Sequence, residues 1–255
     1  MLLAIDVGNS NIKLGVYEGD MLYFISRIAT DAAILEDQYA IEIKDLLKLY
    51  NIDCDKIDSV IISSVVPKIT EYLTVAVKKL FGVDAVIVDY NIYPDLEIAI
   101  KNPEETGADL IAGAVAAKEL YSSPCIVIDM GTATKLIVMD KEGRMLGGCI
   151  IPGVGISMDA LFHNAALLSA VGLKAPGKVI GNSTVTCIQS GIVYGTAAMI
   201  DGLCDKIEAE LGYSCRLIAT GGLAETVIKN CRREIEYSDT LLLEGLKIIY
   251  EKVSK

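Results

Sequence analysis

Tryptophan is absent from this chain of 255 residues, phenylalanine occurs three times and histidine once. A core built with so few large rings must be aliphatic. The single His163 has no recognisable Ser/Asp or Cys partner in the sequence, so it reads as structural and no histidine-dependent catalysis is expected. Seven cysteines, at 54, 125, 149, 187, 204, 215 and 231, form no CxxC pair and no Cys/His cluster of zinc spacing. They read as reduced core thiols of a cytosolic protein. No apolar run reaches the roughly 18 residues of a membrane helix, and no basic lead precedes an apolar stretch as in a signal peptide. The P-loop pattern GxxxxGK[ST] and the dinucleotide fingerprint GxGxxG are missing as well. Lysine and arginine are scattered and the formal net charge is −11, which on average repels a nucleic-acid backbone. The expectation is a cytoplasmic protein without nucleic-acid or membrane partners. Its acidity leaves nucleotides open, because their charge is met locally by backbone N–H groups and Mg2+.

What is present is aliphatic and alternates in kind. With 52% hydrophobic residues the chain can fill one large core or two smaller ones. Val/Ile-rich runs at 59–66, 85–90 and 125–130 predict strands buried on both faces. Between and after them, Ala/Leu/Lys stretches at 110–121 and 196–211 predict helices. The fold class is therefore α/β.

An internal repeat organises the sequence. LAIDVGNSNIKLGVYEGD at 3–20 and IVIDMGTATKLIVMDKEG at 126–143 align without gaps at an offset of 123 residues. Asp6 falls on Asp129, Gly8 on Gly131, the trio Asn9-Ser10-Asn11 on Thr132-Ala133-Thr134, and Val16 on Met139. Each copy reads as a strand ending in Asp, a tight turn of glycine and short polar residues, and a second strand. Such a turn exposes successive backbone N–H groups in a concave anion site, and the strand-end Asp is suited to a metal or its water shell. The repeat predicts two lobes, 1–120 and 121–255, each opened by its own hairpin and packed around a shared cleft.

The pair of motifs, DVGNSNIKLGVY at 6–17 and DMGTAT at 129–134, resembles the acetate kinase, hexokinase and actin superfamily of duplicated ribonuclease-H-like, actin-like ATPase lobes, with mixed sheets flanked by helices. Together with NPEETGAD at 102–109, GGCIIPGVGISMDAL at 147–161, IGNSTVTCIQSGIVYG at 180–195 and ATGGLA at 219–224, it is similar to type III pantothenate kinase over nearly the whole chain. The resemblance implies ATP-dependent phosphorylation of pantothenate to 4'-phosphopantothenate, the first step of coenzyme A biosynthesis. By it Asp6, Val7, Gly8, Asn9, Ser10, Asn11, Ile12 and Lys13 form the ATP phosphate loop, and Thr132 makes a further phosphate contact. Asp6 would hold Mg2+ through water, and Asp129 a monovalent cation, potassium or ammonium. Gly107, Ala108, Asp109 and Leu110 form the substrate motif, with Asp109 as general base, and Thr184 contacts the vitamin across a homodimer interface.

The residues by themselves leave plainer readings open. Asp109 precedes a helical stretch and could serve as an N-cap, Lys13 could be a solvated strand lysine, and Gly221-Gly222 could be an ordinary strand-to-helix turn. The chain also departs from the family pattern on the substrate side. GADR is usual where GADL stands at 107–110, a Tyr where Ile100 stands, GTATTFD where GTATKLI stands at 131–137, and Arg-Thr-Ala where NAA stands at 164–166. Leu110 cannot replace a guanidinium that would pair with a carboxylate, and Lys135, in a strand, is expected to be exposed. These departures leave two alternatives: a divergent kinase of another small alcohol, or a non-catalytic ATP-binding regulator.

Overall fold

The structure is a computed structural model and describes residues 1–164 and 171–254. In chain order its elements begin with β1 (Leu2–Val7), β2 (Asn11–Glu18), β3 (Met21–Ala29), α1 (Glu36–Leu49), β4 (Ser59–Ser64), α2 (Pro67–Phe81), β5 (Val86–Ile87) and α3 (Ala108–Tyr121). There follow β6 (Cys125–Met130), β7 (Ala133–Met139), β8 (Met145–Pro152), α4 (Val154–Asn164), α5 (Thr184–Leu211), β9 (Arg216–Thr220), α6 (Ala224–Ile228), β10 (Glu236–Tyr237) and α7 (Leu241–Val253). No helix among the described residues is long and apolar enough to cross a membrane.

The chain divides into two compact units, Met1–Glu119 with the stretch from Thr240 onward, and Leu120–Asp239. The first holds a five-stranded sheet in the order β3-β2-β1-β4-β5. Short turns make β1, β2 and β3 an antiparallel meander, while the helix between β3 and β4 returns the chain so that β4 runs parallel to β1. Leu3, Ile5 and Val7 of β1 face a core shared with Tyr39, Ile43 and Leu47 of α1 and Ile69, Leu73 and Val77 of α2. The alternate residues of the strands face α7: a Cβ on Gly15 of β2 would lie 2.9 Å from Leu243 Cδ1. Gly245 brings α7 onto α3, where it lies against the backbone of Ala112.

The last helix thus differs from the sequence expectation, which carried the second lobe to residue 255. Its buried residues Leu241, Leu243, Leu246 and Ile249 lie with β1 and β4 of the first unit. Helical periodicity specifies that a face is buried, not which sheet covers it.

The second unit repeats the plan. Its five-stranded sheet has the order β10-β9-β6-β7-β8, with β6 antiparallel to β7 and parallel to β9. Its core gathers Ile126, Ile128 and Leu136 of the hairpin with Ile200 and Cys204 of α5 and Leu217 and Ala219 of β9. Ser183 caps α5, its hydroxyl accepting from the Thr186 N–H while the Thr186 hydroxyl accepts from the Ser183 N–H. Strand order and pairing directions are those of the first unit, as expected for duplicated ribonuclease-H-like lobes.

The register corrects the sequence alignment of the repeat. Asp6 pairs with Lys13 across β1 and β2, and Asp129 with Lys135 across β6 and β7. The second turn is one residue shorter, since Gly8 donates to the Asn11 carbonyl and Gly131 to the Ala133 carbonyl. Beyond the turn the two copies therefore match at an offset of 122, so Lys13 corresponds to Lys135 and Val16 to Val138, not Met139. The irregularity against the third strand agrees: it follows Val16 in one sheet and Val138 in the other.

Candidate functional site

In the first unit the strand-end Asp6 stands between two polar neighbours, Lys13 of β2 and Ser63 of β4, each its register partner. Side chains opposite one another in register lie on one face of a sheet, so the three form a row near the carboxyl ends of the parallel strands. Ser63 is fully buried and its hydroxyl has no hydrogen-bond partner among the described residues. Buried hydroxyls are ordinarily satisfied, and this one, beside a carboxylate, suits a hydrated ion or a phosphate oxygen. The turn beyond is held at both shoulders. The Thr30 hydroxyl donates to the Gly8 carbonyl at 2.7 Å, and the Thr30 N–H to the Ser10 carbonyl at 3.1 Å. Asn9, Ser10 and Asn11 are exposed at the tip. Val7 and Ile12 turn their side chains into the core, so of the expected phosphate loop they can offer only backbone.

Asp109 lies in the first turn of α3, where a negative charge is favoured by the helix N-terminus. Its Oδ1 accepts from the Leu110 N–H at 2.8 Å, and a Cβ on Gly107 would lie 2.6 Å from that same oxygen and 3.6 Å from Val65. The Val65 N–H in turn donates to the Val7 carbonyl at the end of β1. Gly107 thus lies beside the Val65 side chain, and the Val65 backbone is bonded to the strand end that carries Asp6. Thr106 of the Asp109 segment, which no sequence signal singles out, has a buried hydroxyl without a hydrogen-bond partner among the described residues. Between β5 and α3 a shallow groove of about 480 Å3 is lined by Tyr90, Tyr93, Leu96, Ile98 and Pro103, and half-buried Ile100 lies in the same stretch.

The second unit carries the corresponding row, Lys135–Asp129–Thr220. Here the pair is closed: Lys135 Nζ lies 2.9 Å from Asp129 Oδ2, with the side chains 16% and 10% exposed. Lys135 was expected to be exposed; its register partner, a buried carboxylate, draws it in. Two glycines clasp this hairpin. A Cβ on Gly153 would lie 2.3 Å from the Thr132 carbonyl oxygen, and one on Gly221 (φ +104°) 2.4 Å from that of Met130. Gly153 leads directly into α4, so the N-terminal turn of that helix lies next to the Gly131-Thr132 turn, an arrangement that suits an anion. Gly221-Gly222 is more than an ordinary turn, since the close backbone approach and positive φ require glycine at 221. Gly153 lay within a quoted motif but was not singled out.

Thr184 is the exposed first residue of α5, with exposed Val179, Ile180 and Val185 around it. His163 is exposed on α4. Of the departing segment 164–166, positions 165 and 166 lie outside the described residues. Among the described residues no three His, Cys, Asp or Glu side chains assemble as a metal cage. Mg2+ does not need one, since it is ordinarily held by one or two carboxylates together with substrate phosphates.

Comparison with known proteins shows which family this chain falls in. The family model described as type III pantothenate kinase matches residues 2–206. The chain belongs to the type III pantothenate kinase family. A family relative from Moorella thermoacetica is 41% identical over 99% of each chain, and one from Myxococcus xanthus 42% identical over 98% of each. Both carry the name type III pantothenate kinase. Among solved structures, component A of (R)-2-hydroxyglutaryl-CoA dehydratase from Acidaminococcus fermentans shares the fold, with a TM-score of 0.60 at 15% identity over 100% of this chain and 99% of that one. The ROK hexokinase from Thermus thermophilus does so at 0.53 and 13%, over 99% of each chain.

Proposed function

We propose that this chain transfers the γ-phosphoryl group of ATP to the primary hydroxyl of pantothenate, giving 4'-phosphopantothenate for coenzyme A synthesis. The observation that carries this reading is the repeated row of lysine, aspartate and hydroxyl at the base of a glycine turn, once in each unit. In the first unit Gly107 of the Asp109 segment lies beside Val65, whose backbone is bonded to that strand end.

In the first unit the turn N–H groups, with Asn9, Ser10 and Lys13, bind phosphate oxygens, and in the second unit Thr132 and its turn suit a phosphate as well. Asp6 and the orphaned Ser63 hydroxyl fit the water shell of Mg2+, which when bound neutralises charge on the β- and γ-phosphates. Asp109 orients the acceptor hydroxyl and takes its proton. Phosphoryl transfer runs through a loose transition state, so positioning and charge count for more than the strength of the base. The shallow groove beside Pro103 suits the pantoyl part of the acceptor, and Thr106 offers it a hydroxyl. A monovalent cation on Asp129 does not fit the donor set as it stands, because the Lys135 ammonium already lies on that carboxylate. Exposed Val179, Ile180 and Val185 around Thr184 suit a homodimer interface through which Thr184 reaches the vitamin of the partner. The compartment in keeping with this chemistry is the cytoplasm.

Leu110 and Ile100 favour a second reading, transfer to another small alcohol. Steady-state kinetics with ATP, Mg2+ and a panel of small alcohols tests both. Saturable turnover with pantothenate supports the first. Turnover confined to another alcohol replaces the acceptor, and ATP binding without turnover on any of them makes the chain a regulator.

A further inference from the structure

The Lys135–Asp129 pair is enclosed and fixed on both sides. Its partners are opposite each other in the β6–β7 register, their charged atoms are 2.9 Å apart, and neither side chain is more than 16% exposed. On the far side of Asp129 the register neighbour is Thr220, which is 2% exposed. The pair lies at the foot of the Gly131-Thr132 turn, where phosphate is expected to bind.

We propose that Lys135 is a built-in cation: its ammonium, seated on Asp129, supplies the single positive charge that the family pattern would take from a free potassium or ammonium ion. The nucleotide site of this chain then works without such an ion. The proposal rests on the ATP reading above.

The chemistry of the group supports it. A lysine ammonium is an ammonium ion with one N–H replaced by a carbon tether, so it keeps three donors and one compact charge. The ammonium already occupies this carboxylate at 2.9 Å. A free cation could reach the carboxylate only by sharing it with the ammonium or displacing it, and two positive charges held that close repel each other. The position is also a repeated one. Lys13 occupies the same register place opposite Asp6 in the first unit, so a lysine facing the strand-end aspartate is part of how both hairpins are built.

The test uses the whole protein, with potassium chloride exchanged for tetramethylammonium chloride at equal concentration. Affinity for a non-hydrolysable ATP analogue is measured by calorimetry, and turnover alongside it. The wild type should bind and turn over alike in both salts. Lys135→Thr, which opens room for an ion, should lose about tenfold in affinity in tetramethylammonium, the worth of one charge-assisted contact, and regain it with potassium or ammonium. Lys135→Met, uncharged but of similar length, should be weak in either salt. Thermal midpoints without nucleotide identify any variant that has not folded. In that event the wild type decides alone, since a tenfold need for potassium or ammonium in its binding overturns the proposal and equal binding upholds it. Unimpaired binding by Lys135→Thr in tetramethylammonium also overturns it. Absence of analogue binding by the wild type in both salts would instead defeat the ATP reading itself.

Discussion

The carboxylate of Asp109 sits against the Cα of Gly107, so closely that a Cβ there would lie 2.6 Å from Oδ1. The glycine therefore leaves the space in which the carboxylate rests while it accepts the Leu110 N–H. Gly107→Ala should push the carboxylate aside and lower kcat with little change in ATP-analogue affinity. Asp109→Asn keeps the shape and removes the proposed base, so kcat should fall about a hundredfold or more while nucleotide binding survives. Kinetics and calorimetry on the two variants check this together. Near wild-type turnover by Asp109→Asn would remove Asp109 from the mechanism.

Gly245 is a comparable constraint in the scaffold. A Cβ on it would lie 1.9 Å from the carbonyl oxygen of Ala112, which the neighbouring helix cannot yield without moving. Gly245→Ala should destabilise the protein by about 1–3 kcal/mol through overpacking, despite the better helix propensity of alanine. Urea unfolding followed by circular dichroism measures it. An unchanged midpoint would mean that α7 and α3 are not held this close in solution.

Arg233 spans two carboxylates of α5, 3.0 Å from Asp205 and 2.7 Å from Glu208. Its hydrogen bond holds the Glu208 carboxyl below its ordinary value of 4.5, against a desolvation that works the other way, and the Cys215 N–H adds to the lowering. A carboxyl whose folded pKa is depressed stabilises the fold above its unfolded pKa and loses that contribution as the pH falls through the folded value. The thermal midpoint should thus fall on acidification below about pH 4.5. Glu208→Gln should be less stable than wild type at pH 7, with the gap narrowing as the pH drops. A gap that stays constant down to pH 3 would mean that the bridge contributes nothing.

Strand-end aspartates, the glycine turns and the α/β alternation were legible because they are local: Asp6, Gly8, Asp129 and Gly131 declare themselves by their neighbours in sequence. What was not legible depends on register and on tertiary approach. A gapless alignment cannot sense that one turn is a residue shorter, so it set Val16 on Met139 and hid the equivalence of Lys13 with Lys135. Lys135 looked like a surface lysine because its partner is fixed only when β6 and β7 pair. Gly153 and Gly221 are required by carbonyl oxygens of Thr132, in the β6–β7 turn, and of Met130, at the end of β6. The apolar face of α7 was evident, but not that it belongs to the first sheet.

Leu110 bears on the identity of the acceptor. It is half-buried in the first turn of α3, next to Asp109, where the family pattern has an arginine suited to a substrate carboxylate. The longer stem of an arginine can lay its methylenes along the apolar surface and carry its head outward, so Leu110→Arg should fold. A recovered charge-assisted hydrogen bond contributes about 1.5–3 kcal/mol, enough to lower KM for pantothenate roughly tenfold or more. The KM for ATP and the kcat should stay near wild type, because the phosphate turns and Asp109 are untouched. This split matters more than the size of the effect. A fall in KM for pantothenate alone would show that the site still accepts the vitamin and had only lost a handle on its carboxylate. An unchanged KM in an enzyme that turns pantothenate over would mean that another group already holds that carboxylate. If neither the wild type nor Leu110→Arg turns pantothenate over, there is no KM to compare, and the acceptor is another alcohol.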